Sequence, residues 1–284
     1  MISFVVQGPT EYVNDLPFIV NMNGKTSVRP NENFTSQDCV DSLRQYYPGC
    51  EIIISCTTGD AQDITGIDQL FYTTDDMLEH DDNVNRQILS SQAVKHAKHD
   101  IVCKIRSDMI ANSNALLPYA EKMQSDTQLA QRLTTHKMFT DYICISNWSV
   151  DKGHYYHPSD FFFLGRKEDV SSIFNIPQRL ERKWKVGPEQ YINLRCMENH
   201  NLQKYIDYEW LEKHGSENTH LGKNVPPDQP YIENWWKIFY NNYYVLDLGE
   251  GSGLFSKKHP ERVFAHPNLV NNKQWKDGHE RYIK

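Results

Sequence analysis

The sequence predicts an α/β protein: a mainly parallel central sheet flanked by helices, with an aromatic-rich elaboration towards its C-terminal end. Three observations carry this reading. Short apolar runs alternate with helical periodicities through the first half of the chain, as crossover helices between parallel strands require. Polar residues collect where those apolar runs stop. The length, 284 residues, suits one large domain with an added C-terminal part.

The elements follow in order. Ile2-Ser3-Phe4-Val5-Val6-Gln7 is a buried-type strand stopped by Gly8-Pro9. Thr35 to Tyr47 is helical, with Val40, Leu43 and Tyr47 on one face and Ser36 as the expected N-cap. Cys50 to Asp60 reads as a second strand and turn, and Ile67 to Asp76 as a third, weaker strand. Asn85 to Lys98 places Ile88, Leu89, Val94 and Ala97 on one side of a helix. Asp100 to Met109 is the next strand. Beyond it, Phe139 to Trp148 and Asp160 to Val170 read as strands, and Pro188 to Asn199 as a helix opened by proline. A proline-rich connector, Val225 to Pro230, leads into the aromatic segment Tyr231 to Tyr244.

Bulk properties narrow the function classes. The formal charge of −7 argues against broad nucleic-acid binding, while leaving room for a local basic pocket. The six cysteines lack metal-ligand spacing and read as reduced core residues of a cytosolic protein. Asn33-Phe34-Thr35 and Asn147-Trp148-Ser149 match the glycosylation sequon, a short pattern that chance supplies often. The strand-like start predicts no signal peptide. No run approaches the ~20 apolar residues of a membrane helix, so any membrane association is expected to be peripheral.

One motif points elsewhere. Tyr243 to Phe255, YYVLDLGEGSGLF, holds the D-x-G-x-G-x-G pattern of S-adenosylmethionine loops. A methyltransferase needs a helix, another strand and a ribose carboxylate after that loop. Only Arg262-Val263-Phe264-Ala265 reads as strand downstream. The stretch is therefore expected to be a strand ending in a glycine turn. Lys257, Lys258, His259 and Arg262 follow it. They suit either a lid over a diphosphate or a solvated basic tail.

Ligands of such sheets bind beyond the carboxyl ends of the strands. Gln7, Thr57 to Asp60 and Arg106 to Asp108 all fall there. The strongest signal is Lys104-Ile105-Arg106-Ser107-Asp108-Met109. It resembles the point at which GT-A glycosyltransferases hold a divalent cation against the donor diphosphate, although only one acid is present. The ordered motifs VVQGP, EIIIS-x-x-x-G, NVNRQI-x-S, KIRSDM, H-x-SDFFFLGRKEDV and PEQY together resemble the WavE-type lipopolysaccharide-synthesis family, over about residues 2 to 200.

The resemblance implies a GT-A-like fold and a glycosyltransferase of bacterial lipopolysaccharide or capsule synthesis. Its partners would be a nucleotide-sugar donor and a saccharide or glycolipid acceptor. Its place would be the cytoplasm, or the inner face of the cell membrane. Residues 1–200 would form the nucleotide-sugar-binding and catalytic domain; the resemblance does not extend to 201–284, which read by themselves as a helical, aromatic extension packed on that domain and able to act as a lid. Gln7, Gly8, Pro9, Thr57, Asn85, Arg86, Arg106 and Ser107 would contact the donor, and Lys257 and Lys258 would join them from the lid after the glycine turn, a reading that comes from their own charge and not from the resemblance. Asp108, with His157, would hold Mn2+ or Mg2+. Glu189 is the first choice of general base and Asp160 the second.

Plainer roles stand beside these. Gln7 to Pro9 also suit a simple turn, and Arg86 a surface pair with the acidic stretch Asp75 to Asp82. His157 suits an ordinary hydrogen bond, and Glu189 a charge favouring its helix N-terminus. Phe161 to Phe163 read as core. Trp235, Trp236, Tyr240, Tyr243 and Tyr244 suit either an acceptor platform or packing onto the sheet. Two rival classes remain. A sugar nucleotidyltransferase would carry a glycine-rich, basic loop after the first strand, which QGPTEYVND lacks. A polysaccharide-binding or assembly protein on a transferase scaffold would explain the single acid.

Overall fold

The computed structural model describes residues 1–12, 19–22, 25–28, 34–57, 64–73, 83–125, 134–147, 150, 155–179, 186–214, 227–256 and 270–283. The strands are β1 (Ile2–Gln7), β2 (Glu11–Tyr12), β3 (Ile19–Met22), β4 (Lys25–Val28), β5 (Phe34–Thr35), β6 (Glu51–Thr57), β7 (Gln69–Thr73), β8 (Ile101–Arg106), β9 (Met109–Ala111), β10 (Ile143–Ser146), β11 (Phe162–Arg166), β12 (Tyr243–Leu246) and β13 (Leu254–Ser256). The helices are α1 (Ser36–Tyr46), α2 (Val84–Ser91), α3 (Leu117–Ser125), α4 (Lys167–Phe174), α5 (Pro188–Asn199), α6 (Tyr208–His214), α7 (Gln229–Asn242) and α8 (Asn272–Ile283).

Seven strands form the central sheet in the order β12-β10-β11-β8-β1-β6-β7. β1 pairs in parallel with β6 and β8, β6 with β7, and β10 with β12. β11 runs antiparallel to β10 and β8. The expected mainly parallel sheet is therefore present. Burial explains the positions: every residue of β1 and β6 is buried, while β7 alternates with exposed residues at the edge. Strand alternation divides the core between two faces. Val5, Ile53 and Val102 pack with residues of α2, α4, α5 and α7; Phe4, Ile52 and Cys103 pack with residues of α1 and α3. All six cysteines are free and buried.

Some boundaries differ from the sequence reading. The N-cap of α1 is Thr35 rather than Ser36, and the Thr35 amide donates to the Asp38 carboxylate at 3.1 Å. The helix expected through Lys98 stops at Ser91 and continues as a tighter 3-10 turn over Gln92–His96. The strand expected through Val170 ends at Arg166, where α4 begins. Glu168 and Asp169 favour that helix start by their charge.

Beyond residue 200, described elements pack on the sheet and also complete it. Trp235 and Phe239 of α7 are buried in the core. The Asn242 side chain accepts from the Met138 amide at 2.6 Å and donates to the His136 carbonyl at 2.7 Å, fixing the entry to β10. β12 then adds the edge strand beside β10.

The glycine motif closes on itself. The Gly249 amide donates to the Leu254 carbonyl at 2.7 Å, Gly253 to Gly249 at 2.7 Å, and Ser252 to Asp247 at 2.9 Å. These three amides are thus engaged within the turn, which returns the chain as β13 onto β9. Gly253 has φ +67, and a Cβ there would clash with Ser113 Oγ and meet the Ser113 carbonyl at 3.0 Å. Gly253→Ala is therefore expected to cost at least about 1–2 kcal/mol through the left-handed backbone alone. Thermal unfolding should show a clear drop in Tm, whereas exposed Glu250→Ala should change stability by less than about 0.5 kcal/mol. Equal melting of both variants would contradict this account of the turn.

Candidate functional site

The carboxyl ends of β1 and β8 lie side by side, with Gln7 opposite Arg106. The chain leaves β1 through Gly8, whose φ of 137 is open to glycine alone among common residues. Ser107 fastens this exit: its amide donates to the Gln7 carbonyl at 2.9 Å and its hydroxyl to the Pro9 carbonyl at 2.8 Å. Beyond lies a cleft of about 200 Å3 lined by Gln7, Gly8, Pro9, Asn83, Arg86, Gln87, Arg106 and Asp160. A larger cavity of about 440 Å3, between α7 and α8, shares no lining residue with it.

Arg106 organises the cleft floor. Its Nε and Nη2 donate to Asp108 Oδ1 and Oδ2 at 2.9 and 3.1 Å, a bidentate pair. Its Nη1 reaches Asp160 Oδ2 at 3.3 Å. The guanidinium lies 4.7 Å from the centre of the Phe161 ring. Asp108 is fully buried, and its Oδ2 also accepts from Ser256 Oγ at 3.0 Å. β13 brings that serine from the far end of the chain.

A second layer lies beneath. Lys104 is buried in β8, with Nζ donating to the Asp160 carbonyl at 3.0 Å. Burial lowers its ammonium to about 8, with the Asp160 carboxylate opposing the shift. The loop carrying Asp160 is held by α5. Gln190 Nε2 donates to the Tyr155 carbonyl at 2.8 Å and Asn193 Nδ2 to the Tyr156 carbonyl at 3.1 Å. Tyr156 has φ 61, an unusual backbone for a bulky residue that these contacts hold in place. His157 follows, and its Nε2 lies 3.5 Å from Glu189 Oε2.

The pair separates the two candidate bases. Burial alone would raise the Glu189 carboxyl, but the hydrogen bond and charge of His157 outweigh it and hold Glu189 well below its usual range. Burial alone would lower His157, but Glu189 and then Asp160 outweigh it and hold the imidazole above its usual value. Asp160 goes the other way from Glu189: burial raises it, Arg106 opposes, and the nearby Glu189 charge adds to the rise.

Comparisons with known proteins meet this geometry. The family model for WavE lipopolysaccharide synthesis matches residues 2–284. The chain belongs to the WavE lipopolysaccharide-synthesis family. The match extends the resemblance, drawn from motifs within about residues 2 to 200, through the C-terminal third. A search of curated proteins finds no match. Among solved structures, HddC from Yersinia pseudotuberculosis is 11% identical with a TM-score of 0.32, covering 60% of this chain and 78% of its own. The same protein complexed with GMP-PN is 11% identical with a TM-score of 0.31, covering 62% and 80%. Likenesses this distant carry no functional argument.

The WavE-family cleft gathers part of the expected set. Gln7, Gly8, Pro9, Arg86, Arg106 and Asp160 line it. Ser107 stands behind it as a fastener. Thr57 is buried at the end of β6 and is not among the lining residues. Asn85 is also buried away from it, donating to the Arg179 carbonyl at 2.9 Å and accepting from the Arg179 amide at 2.6 Å. Glu189 lines a small inner space with Asp160 rather than the cleft itself. Thr58 to Asp60, the acidic stretch 75–82, and Lys257, Lys258, His259 and Arg262 lie outside the described residues. Trp235, Trp236, Tyr240 and Tyr243 are core, as are Phe161 to Phe163.

The two residues expected to hold a cation are already engaged by side-chain partners. Both Asp108 oxygens face the Arg106 guanidinium, and His157 is paired with Glu189. Among the described residues, no three His, Cys, Asp or Glu side chains group as a metal site would need. Lys104, quoted within the strongest motif, was given no role from sequence, and Ser256 was missed. A lysine inside the apolar run Ile101 to Ile105 was the signal for the first; no local signal marks the second.

The His157–Glu189 pair has a defined pH window. The depressed Glu189 contributes stability above the ordinary carboxylate value of about 4.3 and loses it on acidification through its lower folded value. The raised His157 contributes fully below about 6.5 and loses its share as pH rises through its higher folded value. His157→Gln is thus expected to destabilise the protein by about 1–3 kcal/mol near pH 5–6, where both are charged. The gap in Tm between variant and parent should narrow at alkaline pH. A gap that stays constant from pH 5 to 9 would show that the pair is not ionic.

Proposed function

We propose that this chain is a glycosyltransferase of lipopolysaccharide or capsule synthesis. It moves a sugar from a nucleotide-sugar donor to a saccharide or glycolipid acceptor in the cleft beyond β1 and β8. One observation carries the reading: residues from four separate chain segments, Gln7 to Pro9, Arg86, Arg106 and Asp160, converge on one cleft at the carboxyl ends of parallel strands. Membership of a lipopolysaccharide-synthesis family and a seven-stranded, mainly parallel sheet with one antiparallel member support it.

In this reading Gly8 lets the nucleoside approach the backbone closely. Arg86 and Arg106 face the diphosphate across the cleft. The acceptor hydroxyl attacks the anomeric carbon as the bond to the diphosphate oxygen breaks. Asp160 takes the hydroxyl proton. It lines the cleft, and its raised pKa makes it a stronger base than Glu189. Glu189 instead fixes His157, and through it the loop that presents Asp160. This reverses the order of the two candidate bases. Among the described residues no helix is long and apolar enough to cross a membrane, so a glycolipid acceptor would be met from the membrane surface.

The test is release of nucleoside diphosphate from a panel of nucleotide sugars, with truncated lipopolysaccharide as acceptor. Turnover that needs the acceptor supports the proposal. Pyrophosphate release from a nucleoside triphosphate and a sugar phosphate would move the chain to the nucleotidyltransferases. Asp160→Asn should cost ~10²–10⁴-fold in transfer rate with nucleotide affinity nearly kept. Glu189→Gln should cost less. The opposite ranking would return the role of base to Glu189.

A further inference from the structure

We infer that the charge developing on the leaving diphosphate is met by the Arg106 guanidinium, anchored on Asp108, and not by a divalent cation. This rests on the reading of the cleft as a diphosphate site. At the end of β8 the carboxylate stands behind and the cation in front. The Asp108 side chain is 0% exposed, while that of Arg106 is 21% exposed at the cleft wall. A metal ion at Asp108 would have to displace a bidentate guanidinium from a buried carboxylate, and one partner of a buried pair is costly to remove. It would also meet the displaced positive charge.

The guanidinium is set rigidly for this role. Asp108 grips one edge, Asp160 another, and Phe161 supports its face. Ser256 holds Asp108 from β13, so the C-terminal strand contributes to the same anchor. A guanidinium carries five N–H donors in one plane, and that of Arg106 is presented at the cleft wall, where an oxyanion would meet it. As the anomeric C–O bond breaks, its electron pair stays on the phosphate oxygen. The Arg106 N–H groups hydrogen-bond that oxygen without giving up a proton. Arg86, at the start of α2, adds positive charge from another wall of the cleft.

The experiment is calorimetric titration of the full chain with UDP, GDP and CDP, each in EDTA and in Mn2+. The nucleotide that binds is expected to bind equally well in both. Arg106→Lys keeps the charge but loses the fork, and is expected to weaken binding in EDTA by about tenfold or more. Binding at least about tenfold tighter in Mn2+ would overturn the inference while leaving the diphosphate cleft standing. Unchanged affinity in Arg106→Lys would overturn it too. No binding of any of the three, with or without metal, would overturn both the inference and the cleft reading beneath it. If Arg106→Lys melts far below the parent protein, the parent's own comparison of EDTA with Mn2+ still decides.

Discussion

The ion pair between Arg106 and Asp108 is the constraint on which the site depends. The two residues are separated only by Ser107, so the chain must turn sharply for their side chains to meet. That turn is made by fastening Ser107 to the exit of β1, through the Gln7 and Pro9 carbonyls. The Pro9 carbonyl also accepts from Ser36 Oγ at 3.0 Å, tying the same exit to the first residue of α1. A buried carboxylate demands such a partner, because an unpaired charge there would cost several kcal/mol. The demand for charge compensation thereby fixes the relative positions of β1, β8, the Asp160 loop and β13.

The far end of the chain is drawn into this arrangement. β12 completes the sheet beside β10, and the closed glycine turn sends β13 back to β9, where Ser256 meets Asp108. A fragment ending near residue 200 would hold every residue that lines the cleft but lack this support. The family match over residues 2–284 agrees with that dependence. The motif that resembled a cofactor loop is better understood as the device that makes the return. Its glycines provide the left-handed backbone at Gly249 and Gly253 and close packing against Ser113, and their amides bond within the turn.

Much of the fold was legible because it follows local periodicity. β1, β6 and β8 are continuous apolar runs, and α5 begins at a proline and ends where its pattern stops. The cleft was legible in part, because strand ends in a parallel sheet converge by topology. Gln7 and Arg106 could be placed on that ground, and Asp160 by the family resemblance. What sequence could not give was which polar groups satisfy one another. Asn85 was expected to contact the donor beside Arg86, yet it clamps the Arg179 backbone, a partner 94 positions away. Asp108 looked like a metal ligand because its position at the strand end is visible in sequence and its bidentate arginine is a matter of side-chain geometry. Glu189 and Asp160 were interchangeable as acids until His157 was found beside the first and Arg106 beside the second.

The charges in and beneath the cleft form a balanced set. Asp108, Asp160 and Glu189 are set against Arg106, Lys104 and His157, with Arg86 on another wall. Balance matters in a protein whose formal charge is −7, since an anionic ligand is otherwise repelled. Within the set, protons are distributed unevenly. Glu189 is held as a carboxylate by His157, and that fixed negative charge helps to raise Asp160. Lys104 works against the rise from below. Its own ammonium is lowered to about 8, so loss of that proton at higher pH removes an opposing charge and pushes Asp160 further up. Burial and Arg106 weigh most on Asp160, and two neighbours that need not touch a substrate, Glu189 on α5 and Lys104 buried in β8, adjust it further.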